Sequence, residues 1–317
     1  MPNTIATQRD GRVLTLRIEN PPHNFMNRGM VAELDELTRS LEGDRSIGAV
    51  VITGGVEGRF ITHYDVEEIL AGSERVGLEI SSGVAGASLH AVGGVSRVPG
   101  ARAALERTPA AGLLELHAIH DLLLRIGRLD KVFIAAINGP ALGGGCELAL
   151  ACDLRYMADD AGAIGLPEMT LGFNPGAGGT QRLSQLLGPG RALEMMLEAR
   201  TPSPREAHEI GLVHRVVRAR DLLREASATA KRLARRSPIS IAGLKQAVRD
   251  GSTRSLPAGL AVERKWFLAG ASTPAAQRAM RAYRDAIERN GAPDWTDEEA
   301  LERWREGTVV DLTEGTP

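Results

Sequence analysis

Only two cysteines occur in 317 residues, Cys146 and Cys152. Six positions apart on one helix, they point to different sides and cannot bridge. That excludes a disulfide framework, and both read as small buried thiols of a reducing compartment. No apolar run reaches the ~18 residues that a membrane span requires. The opening residues, Met1-Pro2-Asn3-Thr4, lack a basic segment followed by an apolar core. The expectation is a cytoplasmic protein with no membrane partner. Charge of either sign is also not in excess: 38 Lys and Arg stand against 40 Asp and Glu, a formal net charge of −2. That balance leaves no electrostatic footprint for nucleic acid. The one basic run, Lys231-Arg232-Leu233-Ala234-Arg235-Arg236, reads as a solvated helix face.

Whole classes of catalytic motif are missing too. The chain has no G-x-S-x-G elbow for a serine hydrolase, no G-x-G-x-x-G for a dinucleotide and no G-x-x-x-x-G-K-[ST] for nucleotide phosphates. His117 and His120 share a helix face at i, i+3, yet no H-E-x-x-H and no cysteine cluster accompany them. They read as packed or solvated helix positions, and no metal site is expected.

What remains is an ordinary globular composition, 43% hydrophobic and 25% charged, enough for a substantial core. Residues 4–8 and 13–18 alternate around Asp10-Gly11, which predicts a β-hairpin. Met30, Leu34, Leu37 and Leu41 recur at helical spacing, and the short apolar strand 48–53 follows. Further strands are predicted over 132–137 and 154–158. Strands alternating with helices imply an α/β architecture. From Thr180 onward the pattern is mostly helical, with one short strand near 213–217. The predicted organisation is a core over 1–200, a helical region over 201–290 and a tail over 291–317 that packs back or reaches a neighbouring subunit. One stretch fits poorly: residues 72–111 are rich in Gly, Ala, Ser and Val without clear periodicity. Such a stretch reads as a lid or mobile insertion, with regular helices of hidden pattern as the alternative.

The most informative run is Asn138-Gly139-Pro140-Ala141-Leu142-Gly143-Gly144-Gly145-Cys146-Glu147. Three glycines end a loop directly before a helical stretch, and a carboxylate follows within one turn. The first amides of a helix have no internal partner and can point at a developing negative charge. Glu168 follows 21 positions later, before a second glycine-rich turn, Asn174-Pro175-Gly176-Ala177-Gly178-Gly179-Thr180. Taken alone, three glycines are explained as well by a tight turn with close helix packing. Glu147 and Glu168 likewise occupy positions where a glutamate merely complements a helix dipole. Their joint occurrence suits acid/base work on an acyl group whose carbonyl becomes an enolate, stabilised by Gly144 N–H and a donor from the Phe60 to Asp65 loop.

These segments resemble the enoyl-CoA hydratase/isomerase (crotonase) superfamily. The resemblance rests on residues 136–149 and on Pro167-Glu168 through Leu183, with support from Asn20-Pro21-Pro22 to Asn27, Phe60 to Asp65, Ala207 to Val213 and Ser237-Pro238. It covers roughly residues 5–283, with 72–111 as an apparent insertion. It implies an α/β, crotonase-like spiral of ββα units forming two roughly perpendicular sheets. A C-terminal helical trimerisation region follows, giving a homotrimer or homohexamer. It also implies an acyl-CoA substrate and no metal or redox cofactor, coenzyme A being part of the substrate. By position, the amides of Tyr64 and Gly144 form the oxyanion hole, and Glu147 and Glu168 match the two catalytic glutamates. Phe25, Thr62, His63, Asp65 and Gly143 fall at substrate- or CoA-binding positions, with Lys265 as a cation for the phosphates. The activity implied is hydration of an enoyl-CoA. The alternatives are double-bond isomerisation by Glu168 alone, another enolate chemistry such as dehydration or hydrolysis, and a non-catalytic CoA- or RNA-binding homologue. The chain departs from the family at His63-Tyr64, where small residues are usual. These side chains either narrow the acyl pocket, stack on the ligand, supply a donor, or point away. The spacing from Glu147 to Glu168 is one residue longer than usual.

Overall fold

The computed structural model describes residues 4–96, 98, 101–108 and 110–313. Among them lie eight strands: β1 (Ile5–Asp10), β2 (Val13–Ile18), β3 (Ala49–Gly54), β4 (Val132–Ile137), β5 (Ala141–Leu142), β6 (Leu154–Ala158), β7 (Ile164–Gly165) and β8 (Arg215–Val217). The predicted hairpin forms, β1 and β2 pairing antiparallel with Asp10 opposite Val13. From β2 on, the sheet is parallel, in the order β1-β2-β3-β4-β6-β8, while β5 and β7 form a separate parallel pair. Every residue of β3 is buried. A parallel strand covered on both faces needs that continuous Val/Ile run rather than alternation.

The connections are helical: α1 (Arg28–Ser40), α2 (Val66–Val76), α3 (Ser82–Val95), α4 (Ala101–Leu105), α5 (Ala111–Arg128), α6 (Gly144–Ala151), α7 (Gly179–Leu187), α8 (Pro189–Leu197) and α9 (Pro204–Glu209). After β8 come α10 (Leu222–Leu233), α11 (Pro238–Gln246), α12 (Leu256–Ala271), α13 (Pro274–Asn290) and α14 (Glu298–Glu306). In α1 the Asn27 side chain accepts from Met30 N–H at 2.9 Å, capping a helix that buries Met30, Val31 and Leu34. All eight residues of α6 are buried. Buried all round, α6 carries no polar face, so a carboxylate on it stands out.

Residues 72–111 are not the weakly structured lid that the composition suggests. They hold the end of α2, then α3, α4 and the start of α5; residues 97, 99, 100 and 109 lie outside the described residues. The helical period is faint because the inward face of α3, Ala85, Ser88, Leu89, Val92 and Gly93, holds few large apolar residues and buries only Val92. A Cβ at Gly93 would lie 3.0 Å from the His117 ring on α5, and His117 Nε2 donates to the Leu89 carbonyl at 3.0 Å. Asp65 and Ser81 cap α2 and α3.

The tail packs back on its own chain. Trp295 and Trp304 lie against Tyr283, with ring centroids 4.9 Å and 6.0 Å away, and Trp304 Nε1 donates to Asp294 at 2.9 Å. The basic run 231–236 is more than a solvated face. Arg235 and Arg236 donate to the carbonyls of Glu306 and Trp304 at the C-terminal end of α14, and Lys231 pairs with Asp10 at 2.7 Å. Cations at a helix C-terminus satisfy its orphaned carbonyls.

A buried polar cluster fixes the frame behind α6. Lys245 Nζ donates to the carbonyls of Ile126 and Lys131 and to Asp153, at 2.9–3.0 Å. Arg249 reaches the Ala151 carbonyl and Asp153, and Asp153 accepts from Phe133 N–H. The ends of α5 and α6 and the start of β4 are thereby tied to one carboxylate.

Candidate active site

Two loops meet at the N-terminus of α6, and glycine is what lets them meet. A Cβ at Gly145 would fall 1.9 Å from the Ile61 carbonyl oxygen, so only glycine admits the Phe60 to Asp65 loop this close. Gly143 turns the chain into α6 with φ of +47°, in the left-handed region where a side chain would be strained. Its N–H donates to the Gly165 carbonyl at 2.9 Å, fixing the entry against β7.

The opposite loop is held by Asn24, a fully buried residue that sequence reasoning passed over within the 20–27 segment. Its Nδ2 donates to the carbonyls of Ile18 and Phe60, and its Oδ1 accepts from Asn20 N–H at 2.7 Å. Met26 then forms an isolated parallel bridge with Tyr64: Met26 N–H donates to the His63 carbonyl at 2.8 Å and Asp65 N–H to the Met26 carbonyl at 2.7 Å. This pairing leaves the Tyr64 N–H without an acceptor among the described residues. The Gly144 N–H, in the first turn of α6, also has none. The two are adjacent, since a Cβ on Gly144 would lie 3.5 Å from Tyr64 N.

Beside these amides stand the two carboxylates, in unlike surroundings. Glu147, in the first turn of α6, is 3% exposed, and its Oε1 accepts from Ala177 N–H at 2.7 Å and Gly179 N–H at 2.8 Å. Burial pushes its pKa up, while those two N–H groups, Gly179 first, oppose the rise. Glu168 opens a short 3-10 turn, Glu168–Leu171, and its Oε1 lies 3.1 Å from where a Cβ on Gly143 would be. Its Oε2 is buried with no hydrogen-bond partner among the described residues. Burial, with the Glu147 charge adding, pushes Glu168 up to about 7, against the opposing pull of its own backbone N–H. One carboxylate is thus solvated by fixed donors, and the other is buried without them.

The second glycine-rich turn therefore belongs to the site through its amides. It is held in place by His120, whose Nε2 donates to the Gly176 carbonyl at 2.6 Å, and by Arg182, which donates to the Ala177 carbonyl at 2.9 Å. His120, read from sequence as a packed or solvated helix position, braces the loop that holds Glu147. Nothing in its i, i+3 pattern reveals a partner 56 residues away.

The remaining predicted residues divide into two groups. Phe25 and His63 stack with ring centroids 4.1 Å apart, and His23 continues the stack 5.0 Å from Phe25. His63 Nδ1 donates to the Tyr64 carbonyl at 2.7 Å. Thr62 and Asp65 instead brace the loop: the Thr62 hydroxyl donates to the His23 carbonyl at 2.6 Å, and Asp65 Oδ1 caps α2 through Glu67 N–H at 2.9 Å. Lys265 Nζ lies 5.2 Å from the Trp266 ring centroid. The described residues hold no group of three or more His, Cys, Asp or Glu arranged to bind a metal ion. Nor is any helix among them long and apolar enough to cross a membrane.

The profile of the enoyl-CoA hydratase/isomerase family matches residues 104–298. The chain belongs to that family. Among its relatives are the short-chain-enoyl-CoA hydratase of Clostridium acetobutylicum, 31% identical over 89% of this chain and 94% of that protein, and the 2,3-dehydroadipyl-CoA hydratase of Escherichia coli, 33% identical over 88% and 94%. The crystal structure of an enoyl-CoA hydratase from Bacillus anthracis superposes with a TM-score of 0.73, at 28% identity, over 90% of this chain and 97% of that one. The crotonase fold read from the motifs is thus the fold observed, with β5, α6 and β7 as the frame around Glu147 and Glu168.

Proposed function

We propose that this enzyme is an enoyl-CoA hydratase in which Glu147 acts as the base and Glu168 as the acid. The observation that carries the assignment is the asymmetry of the two carboxylates beside two amides that have no acceptor among the described residues. The thioester oxygen sits between the N–H groups of Tyr64 and Gly144. Glu147 takes a proton from water, the water oxygen bonds to the β-carbon, and the π electrons move onto the thioester as an enolate held by the two amides. Glu168 then gives its proton to the α-carbon. Return of the proton from Glu147 to Glu168 through water resets the pair, so the net change is addition of one water. Coenzyme A enters as part of the substrate, and the His23-Phe25-His63 stack offers flat aromatic surface at the loop that would face it.

The test is loss of the conjugated-thioester absorbance of crotonyl-CoA and of longer enoyl-CoAs. Absence of turnover across the panel defeats the reading. The same assay reads the pH dependence. Glu168 must hold its proton to deliver it, and its pKa lies near 7. The value of kcat/KM, which reports the free enzyme, is therefore expected to fall as pH rises through about 7. A flat profile from pH 6 to 9 would remove Glu168 from the acid role.

Assembly as a homotrimer or dimer of trimers is part of the same reading. Its support is an apolar face on α11, α12 and the turn between them, where Leu244, Val248, Leu256, Phe267 and Leu268 are each at least 60% exposed. Patches of this kind mark interaction surfaces. Light scattering coupled to size exclusion is expected to give three or six times the 33.8 kDa chain mass; a monomer at micromolar concentration refutes it.

A further inference from the structure

We infer that Glu68 is a positioning residue of the oxyanion hole, acting through the phenol of Tyr64; the inference rests on the proposed role of the Tyr64 N–H. The bridge between Met26 and Tyr64 is isolated, with two hydrogen bonds and no adjoining ladder to stiffen it. On the backbone side Tyr64 is held by that bridge and by the bond from His63 Nδ1 to its carbonyl, and a donor aimed at a developing charge gains its value from being fixed beforehand. The side chain adds a further constraint. Asp65 starts α2, so residue 68 lies one helical turn beyond Tyr64, and Tyr64 Oη donates to Glu68 Oε2 at 3.1 Å.

Glu68 is itself held. The same oxygen accepts from Arg28 N–H at 2.9 Å, one of the orphaned amides at the start of α1. The Arg28 guanidinium then pairs with Glu115 on α5 at 2.5 Å. One carboxylate thus joins α1, α2 and, through Arg28, α5 to the residue that supplies half the oxyanion hole. Burial, and then the Glu68 charge, hold the Tyr64 pKa far above its ordinary value, so the phenol remains a donor at any working pH.

The test compares Tyr64→Phe, Glu68→Ala and Glu68→Gln with the unaltered enzyme, using crotonyl-CoA for rates. A cinnamoyl-type thioester of coenzyme A serves as an optical probe, because its absorption moves to longer wavelength when the carbonyl oxygen accepts strong hydrogen bonds. Tyr64→Phe and Glu68→Ala are each expected to lower kcat about tenfold with KM within about twofold, since the lost alignment matters most in the transition state. Both should shrink the spectral shift of the bound probe. The double variant should be no worse than either single one, and Glu68→Gln, which keeps an acceptor for both donors, should restore most of the rate and the shift. If Glu68→Ala fails to fold, Tyr64→Phe decides alone, because it leaves the contact of Glu68 with Arg28 in place. Full kcat and an unchanged shift in Tyr64→Phe would overturn the inference. Should the unaltered enzyme bind the probe but hydrate nothing, the hydratase reading falls, while the spectral comparison still decides the role of Glu68.

Discussion

Glu168→Gln is expected to lower kcat for hydration about 1,000-fold, within the range that a positioned proton donor contributes. The substitution is close to isosteric, and the oxygen it replaces has no partner to lose. The change therefore removes a deliverable proton without removing a hydrogen bond. Substrate affinity should move little, because in the proposed mechanism the amides of Tyr64 and Gly144, not this carboxyl, hold the thioester oxygen. Whatever activity remains should also lose its fall above pH 7, since the group responsible for it is gone. A variant with more than a tenth of the original kcat, or with the original pH profile, would place the proton donor elsewhere.

Much of this site was legible because its chemistry is written in backbone terms. Gly145, within the run Gly143-Gly144-Gly145, marks the place where one loop comes within contact of another and only glycine fits, so the approach of Ile61 to α6 left a trace in the sequence. Glu147 stood out as a carboxylate in an otherwise apolar helix. The strands were legible for a similar reason: β3 and β4 are short and continuously apolar, the signature of a parallel sheet covered on both faces.

Contacts between distant side chains left no such trace. The link from His120 to the Gly176 carbonyl and the link from Arg28 to Glu115 depend on where helices come to rest after folding. Asn24 is an intermediate case. Its φ of 56° is tolerated more readily by asparagine than by most residues, but the sequence around it is dominated by Pro21-Pro22 and gave no pointer to a buried latch. The helix α3 was missed because its inward face, Ala85, Ser88, Leu89, Val92 and Gly93, holds only two large apolar residues, of which Val92 alone is buried. So sparse a stripe gives little helical periodicity.

Glu147→Gln separates hydration from double-bond isomerisation and is expected to cost about as much in hydration as loss of the acid, roughly 1,000-fold. Oε1 of Glu147 accepts two backbone N–H groups, and the amide oxygen of glutamine can accept both, so the 174–180 turn should keep its place. What glutamine cannot do is take a proton from water. Isomerisation needs only one group to move a proton between the α- and γ-carbons, and Glu168 with the same oxyanion hole suffices for that. Conversion of a 3-enoyl-CoA to the conjugated 2-enoyl-CoA should therefore be either absent from the unaltered enzyme or little changed by Glu147→Gln, while hydration collapses. If hydration survives at a tenth or more of its original rate, Glu147 is not the base. In that case the two amides on its oxygen act only to hold a structural carboxylate. The thermal midpoint of the variant, expected within a few degrees of the parent, distinguishes loss of the base from loss of the loop.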